Sequence, residues 1–342
     1  MKKNKPILIT DPFPRTMELI FSKFQLKYLS NNFTIVKAPT KNKDKFYKKY
    51  LPIAKFIIGQ PNLPSSLIKN QKKLKAIFNV ESNFMDNMDY NYCFKNNIHV
   101  LATSPVFAQP VAEMALGLTL SIARSIHIAH SDFINRKEKY GGAISKNNFL
   151  IKNKKIGLIG FGDLAKSLIP LLNPLSSNIM AYDPWVPDFE IKKNNVEPVT
   201  LKKLLSKSEI IYILASITDS NEGMINKKVF KSIKDNTIFV LMSRAAIINF
   251  EDFYQFLKNR KVFAAIDVYP IEPFPKNHKL RKLNNVIFSP HRAGALDSAF
   301  KEMGDLVIND LKLINKGLPP RLCKKAIKET VGHLKSKPVL IN

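Results

Sequence analysis

At 342 residues the chain exceeds the size of one comfortable hydrophobic core, so two domains are expected. Apolar residues make up 45% of it, an ordinary globular share, and no run of about 18 uncharged apolar residues suggests a membrane span. The net charge of +27 admits a nucleic-acid or anionic-surface ligand. However, the lysines are spread along the whole chain beside abundant Asn and Ile, with no compact Arg-rich helix, zinc-finger spacing or aromatic-basic RNA motif. A solvated basic surface, of the kind an AT-rich genome produces, is the expectation, with no specific nucleic-acid partner. Residues 1–5 are basic, but the apolar stretch behind them, 7–9, is too short for a secretion signal, which points to the cytoplasm. Cys93 and Cys323 form no Cys-x-x-Cys pair and agree with a reducing compartment.

From residue 6 to about 100, short apolar runs at 7–9, 33–36, 56–58, 76–78 and 98–100 alternate with helical stretches. Short apolar runs bounded by polar residues are the pattern of buried parallel strands, so an open α/β sheet is expected. A long helix is expected over 109–130, where Val111, Met114, Leu118, Leu120 and Ile122 stand among Ala and Gly. It is apolar over most of its circumference, so it belongs in a core or a subunit interface and suggests a homodimer. Residues 136–155 are polar, contain Gly141 and Gly142, and read as a loop connection. A second α/β series follows, with strand-like runs at 156–159, 179–182, 210–214, 238–241, 262–266 and 286–288.

The first of these runs enters a glycine-rich turn and then a helix, in the pattern Gly160-x-Gly162-x-x-Ala165. Gly160 permits the tight turn, Gly162 lets the backbone approach a pyrophosphate, and Ala165 still allows close packing of helix on strand. Gly160, Phe161, Gly162, Asp163 and Leu164 would cradle the phosphates at the positive end of the helix. Asp183 falls some twenty residues later, at the end of the next apolar run. There it can accept hydrogen bonds from both ribose hydroxyls of NAD and would repel the extra phosphate of NADP.

Three later blocks carry a resemblance. They are Leu241-Met242-Ser243-Arg244-Ala245-Ala246-Ile247-Ile248-Asn249, Ala264-Ala265-Ile266-Asp267-Val268-Tyr269-Pro270-Ile271-Glu272-Pro273 and Asn285-Val286-Ile287-Phe288-Ser289-Pro290-His291. In order and spacing they resemble the D-isomer-specific 2-hydroxyacid dehydrogenases. Val111-Ala112-Glu113 followed by Arg124 looks like that family's domain-linking helix, and Asp86-Asn87-Met88-Asp89 resembles the end of its substrate loop. The resemblance implies two Rossmann-like domains with doubly wound parallel sheets. A cofactor domain over 104–294 would be inserted into a flavodoxin-like substrate domain made of 1–103 and 295–342. It implies Arg244, Glu272 and His291 as the catalytic set, and Ser216, Ser243 and Asp267 as further cofactor contacts. Val80, Glu81, Ser82 and Asn83, with Arg244, are implied as substrate contacts.

The chemistry suits these residue types. Oxidising a 2-hydroxy acid takes a proton from the hydroxyl while a hydride leaves the adjacent carbon, and a histidine, with an ordinary pKa of about 6.5, exchanges that proton near neutrality. A carboxylate beside it favours its charged form and fixes its tautomer. A guanidinium can bond both the substrate carboxylate and the reacting oxygen. The expected function is therefore NAD-dependent interconversion of a small D-2-hydroxy acid and its keto acid, with 3-phosphoglycerate, glyoxylate and hydroxypyruvate as candidates. The other reading of the same fold is an NAD-binding regulator or corepressor with little turnover, and fold alone does not separate them.

Several positions depart from the family. The substrate loop reads Phe78-Asn79-Val80-Glu81-Ser82-Asn83-Phe84-Met85-Asp86, without the usual glycine pair, and Glu81 would disfavour an anionic substrate unless it points away or pairs with a base. Ala245 and Ala246 replace the usual glycines after the arginine. Leu214-Ala215-Ser216-Ile217-Thr218 replaces the usual His-x-Pro-Leu-Thr run near the cofactor.

Overall fold

The computed structural model describes residues 5–69, 71–81, 83–141 and 148–335. The strands, in chain order, are β1 (Ile7–Asp11), β2 (Thr34–Lys37), β3 (Ala54–Gly59), β4 (Ala76–Asn79), β5 (His99–Ala102), β6 (Ile156–Ile159), β7 (Ile179–Tyr182), β8 (Glu197–Pro198), β9 (Ile210–Ile213), β10 (Ile238–Leu241), β11 (Phe263–Ile266), β12 (Val286–Phe288) and β13 (Lys324–Lys325). The chain forms two compact units, one from the residues up to Phe107 together with those from Leu296 onward, the other Ala108–Ala295.

The first unit holds a sheet in the order β13-β5-β4-β3-β1-β2. Its five N-terminal strands are parallel and follow the flavodoxin order, while β13 pairs antiparallel with β5 at the edge. The central strands are apolar on both sides because both faces are covered. Leu8, Phe56, Ile58, Phe78 and Leu101 pack into one core, and Ile9, Ile57, Ile77 and Val100 into the other, as the two-residue period of a strand requires. β13 was not foreseen: two lysines carry no strand pattern. It is held by the buried Asp310, whose carboxylate accepts from the amides of Arg321 (2.7 Å), Leu322 (3.1 Å) and Cys323 (2.8 Å).

The second unit holds a fully parallel sheet in the order β12-β11-β10-β9-β6-β7-β8. Counted within the unit this is the doubly wound order of a dinucleotide-binding fold, with its crossover point between β6 and β9. Leu158, Tyr212, Val240 and Ala265 face one core; Ile159, Ile211, Phe239 and Ile266 face the other.

The helix expected over 109–130 is two helices, Ala108–Ala123 and Ile126–Ile134. Ser125 lies between them in a left-handed conformation (φ 52°), and its hydroxyl donates to Asn148 Oδ1 at 2.7 Å, so the first helix ends and the chain turns. Val111, Ala112, Ala115, Thr119, Ile122 and Ala123 form the buried face of the first helix, packed against helix Asp163–Leu172 and the sheet. Among the described residues, one stretch, Ser104–Ala123, has the length and apolar content to cross a membrane, and half of it is buried inside the protein. In the second helix Ile126, Ile128, Phe133 and Ile134 are all exposed.

Replacing Asp310 with Ala should cost roughly 2–4 kcal/mol, because the three amides just before β13 lose a buried acceptor. Urea unfolding of the variant checks this; an unchanged midpoint would show that water satisfies those amides equally well.

Candidate functional site

Six of the strand exits in the second unit, those of β6, β7, β9, β10, β11 and β12, carry candidate residues, at the carboxyl edge where open α/β sheets bind ligands. β6 ends on Gly160, at φ 97°, and a Cβ there would lie 2.5 Å from the Ala215 backbone. Only glycine fits this turn. Gly162 is different: a Cβ there meets nothing within 4 Å, so its backbone faces open space. It caps helix Asp163–Leu172, whose first-turn amides have no acceptor within the helix. These features fit a pyrophosphate. Of the other turn residues, Phe161 is buried and its amide is given to Asp183, while Asp163 and Leu164 are half-buried.

Asp183 follows β7. One carboxylate oxygen accepts from the Phe161 amide (2.8 Å) and the other from the Trp185 amide (2.9 Å). The carboxylate is thus fixed beside the glycine-rich turn, with lone pairs left over for ribose hydroxyls. Trp185, the only tryptophan in the chain, is about half exposed two residues further on. Ser216 is exposed after β9, and its carbonyl accepts from the Asn221 amide group at 2.8 Å. The buried Ser243 donates its hydroxyl to the Ile213 carbonyl at 3.1 Å, tying the exit of β10 to that of β9.

Glu272 and His291, which follow β11 and β12, meet: His291 Nδ1 lies 2.7 Å from Glu272 Oε2. The other oxygen of Glu272 accepts from the Tyr269 amide at 2.9 Å. Partial burial works to raise the Glu272 carboxyl. The hydrogen bonds from His291 and the Tyr269 amide, with the charges of His291 and Arg244, outweigh it and hold the group below its ordinary value. A depressed carboxyl stays ionised at neutral pH, so its favourable pairing is present there and is lost only as pH falls through its folded value. Arg244, half-buried just past β10, is close enough to act on Glu272, and its Nη1 donates to the Ser243 carbonyl at 2.7 Å. A ring that exchanges protons, a carboxylate that orients it and a guanidinium therefore occupy one edge of one sheet.

Asp267 is buried, and its carboxylate accepts from the Ser289 hydroxyl, the Arg292 amide (2.9 Å) and the Ala293 amide (3.2 Å). Its carbonyl accepts from the His291 amide at 2.8 Å. One lone pair of the carboxylate is left over, so the residue expected to meet the cofactor first of all shapes the loop carrying His291.

Val80, Glu81 and Asn83 lie in the first unit, and Ser82 falls outside the described residues. Glu81 is buried, and it does pair with a base: Arg15 Nε lies 3.4 Å from Glu81 Oε1 and donates to the Val80 carbonyl at 2.9 Å. Burial lowers the Arg15 guanidinium and Glu81 opposes that shift, while the rings of Phe107 and Phe300 flank it at 5.5 and 4.9 Å. Asn79 completes the loop, accepting from the Glu81 amide (2.7 Å) and donating to the Asn83 carbonyl (2.9 Å). Neither Arg15 nor Asn79 was a sequence candidate. Arg15 stands 65 positions from its partner carbonyl, and no local pattern links them.

A family model described as D-isomer specific 2-hydroxyacid dehydrogenase, NAD binding domain, matches residues 116–293. The chain is 29% identical over 302 residues to the hydroxypyruvate reductase of Thermotoga maritima, covering 86% of this chain and 94% of that protein. It is 30% identical over 267 residues to the D-3-phosphoglycerate dehydrogenase of Archaeoglobus fulgidus, covering 77% of this chain and 49% of that one. Among solved structures, a phosphoglycerate oxidoreductase from Rhizobium etli matches with a TM-score of 0.87 at 40% identity, covering 96% of this chain and all of that one. The family match runs from the helix before the glycine-rich turn to just past His291, more than half of the sequence. The chain therefore belongs to the D-isomer specific 2-hydroxyacid dehydrogenases, NAD-dependent oxidoreductases that act on a CH–OH group.

Proposed function

We propose that the chain interconverts a small 2-keto acid and its D-2-hydroxy acid, with His291 as the proton donor, Glu272 as its orienting partner and Arg244 as the clamp on the substrate carboxylate and reacting oxygen. The observation that carries this is the 2.7 Å contact between His291 and Glu272, at the same sheet edge as Arg244 and the glycine-rich turn. Bound NAD supplies the hydride chemistry. Gly160, Phe161, Gly162, Asp163 and Leu164 would hold the pyrophosphate, Asp183 the ribose, and Ser216, Ser243 and Asp267 the rest of the cofactor. During reduction, His291 Nε2 would give its proton to the carbonyl oxygen while Glu272 holds the ring aligned through Nδ1. Arg244 would stabilise the negative charge developing on that oxygen. Val80, Glu81, Ser82 and Asn83 are read as the substrate loop. Pairing with Arg15 removes the objection that Glu81 would repel an anionic acid.

The candidates for the keto acid are glyoxylate, hydroxypyruvate and 3-phosphohydroxypyruvate, and pyruvate is the control. Turnover of one of them with NADH, and weaker turnover with NADPH, is expected in a spectrophotometric screen, because Asp183 opposes a 2′-phosphate. Asp183→Ser should narrow that preference. Retained NADH binding without turnover of any keto acid would favour the regulator reading instead.

His291→Ala should lower turnover by about 10²–10⁴-fold while leaving NADH binding nearly intact. Binding can be followed as quenching of Trp185, the only tryptophan. Glu272→Gln should cost less and shift the alkaline limb of keto-acid reduction toward acid. Reduction needs the charged ring, and a neutral partner no longer favours it. A pH profile at saturating cofactor and substrate decides: an unmoved limb would uncouple the pair, and near-normal turnover in His291→Ala would remove the mechanism.

We also read the enzyme as a cytoplasmic homodimer. The two cysteines are free and buried, as suits a reducing compartment. A second copy covering Ile126, Ile128, Phe133 and Ile134 would account for four exposed apolar side chains on one short helix. Light scattering should give twice the chain mass, and Phe133→Glu should lower it; a monomer in the unmodified protein would exclude the assembly.

A further inference from the structure

We propose that the Tyr269 hydroxyl is a positioning group for the Glu272–His291 pair, clamping together the two strand exits that carry them. The inference rests on the reading of that pair as the proton-transfer couple.

β11 and β12 run parallel with Ile266 opposite Phe288, and beyond that point the ladder ends. Glu272 and His291 both lie past it, on irregular chain. His291 is moreover a non-glycine residue at φ 53°, a conformation that persists only where surrounding contacts impose it. Two contacts do so on the inner side, the Ser289 amide to the Ile266 carbonyl (2.9 Å) and the His291 amide to the Asp267 carbonyl (2.8 Å).

Tyr269 adds a third contact from the side chain. Its hydroxyl lies 3.0 Å from the Ile266 carbonyl and 2.9 Å from the Ser289 carbonyl, so its single proton is shared between the last residue of β11 and the chain two residues before His291. The amide of the same residue donates to Glu272 Oε1, leaving Oε2 to His291. Tyr269 therefore grips both partners, Glu272 through its amide and the His291 segment through its hydroxyl. Its ring is fixed in turn, stacked on Phe274 with centroids 4.5 Å apart and met edge-on by Phe250 at 6.5 Å.

The hydroxyl remains a donor throughout the working pH range. Burial raises it above its ordinary value, and the charges of Asp267 and Glu272 raise it further against the opposing Arg281. Those three groups act on Tyr269, and Arg244 and His291 act on Glu272.

A tyrosine serving only as a packed ring would be replaced by phenylalanine without kinetic consequence. Tyr269→Phe keeps the ring and removes the clamp. It is expected to lower kcat roughly 3- to 30-fold, the scale on which small misplacements of catalytic groups act. The KM for the keto acid and the NADH affinity read from Trp185 should stay within about twofold, because the variant removes alignment and not binding. The alkaline limb of reduction should move toward acid, by less than in Glu272→Gln. Phe230→Leu is the control: it loosens the aromatic core around Phe253 and Phe256 and leaves the ring contacts of Tyr269, so it should lower the melting temperature without moving the limb. Unchanged kcat and limb in Tyr269→Phe would overturn the proposal, and so would an equal limb shift in Phe230→Leu.

A second measurement does not depend on turnover. In protein labelled at histidine, the His291 ring signal, assigned by its loss in His291→Ala, should move in chemical shift at a fixed pH in Tyr269→Phe, because the ring loses its fixed place beside Glu272. That change in a protein with no keto-acid turnover would uphold the clamp and refute the reading of the pair as the keto-acid proton-transfer couple; an unmoved signal in an active protein would refute the clamp alone.

Discussion

A buried carboxylate, Asp267, sets the course of the chain around the site. It sits where β11 ends, and three donors from residues 289–293 converge on it while its own carbonyl takes the His291 amide. A buried charge must be met by hydrogen bonds, so the loop after β12 has to fold over it. Folding over it forces His291 into a left-handed backbone, and that backbone aims the ring at Glu272. The contact between the two side chains is therefore downstream of a carboxylate bonded to Ser289, Arg292 and Ala293. Unlike Glu272, which is half-exposed and shared between an amide and an imidazole, Asp267 lies wholly inside the protein.

The cofactor side rests on a different constraint, the close approach of backbones. Gly160 packs its α-carbon against the chain at Ala215, and the β6 exit can turn there only without a side chain. Asp183 then closes the turn from the other side by taking the Phe161 amide. A carboxylate with that local duty is already aligned, and on the proposed reading of Asp183 as the ribose contact this lowers the cost of binding.

The loop at residues 79–86 solves a related problem with different residues. The side chain of Asn79 binds the Glu81 amide and the Asn83 carbonyl, and so holds the backbone of a loop that lacks the glycine pair the family resemblance implies. Glu81 is acceptable in the interior only because Arg15 accompanies it, with aromatic rings beside the guanidinium. Charge that looked incompatible with an anionic substrate is neutralised locally and kept away from solvent.

The sequence by itself determined the two α/β series and the glycine-rich turn, and it singled out Glu272 and His291, which the fold brings within 2.7 Å of each other. Strand runs such as 156–159, 179–182, 238–241 and 286–288 match the observed strands end to end, because buried parallel strands write continuous apolar runs bounded by polar turns. Glycine spacing and the order of Arg244, Glu272 and His291 are equally local signals. Only the tertiary structure decided the break at Ser125, the strand β13, the Arg15–Glu81 pair and the double grip of Tyr269. Each of these depends on a partner that no local pattern marks: Asn148 for Ser125, Asp310 for the amides of 321–323, Val80 and Glu81 for Arg15, and the Ser289 carbonyl for Tyr269. A hydrogen bond or ion pair across the fold is set by where the chain returns in space, and a linear pattern of apolar and polar residues does not encode that return.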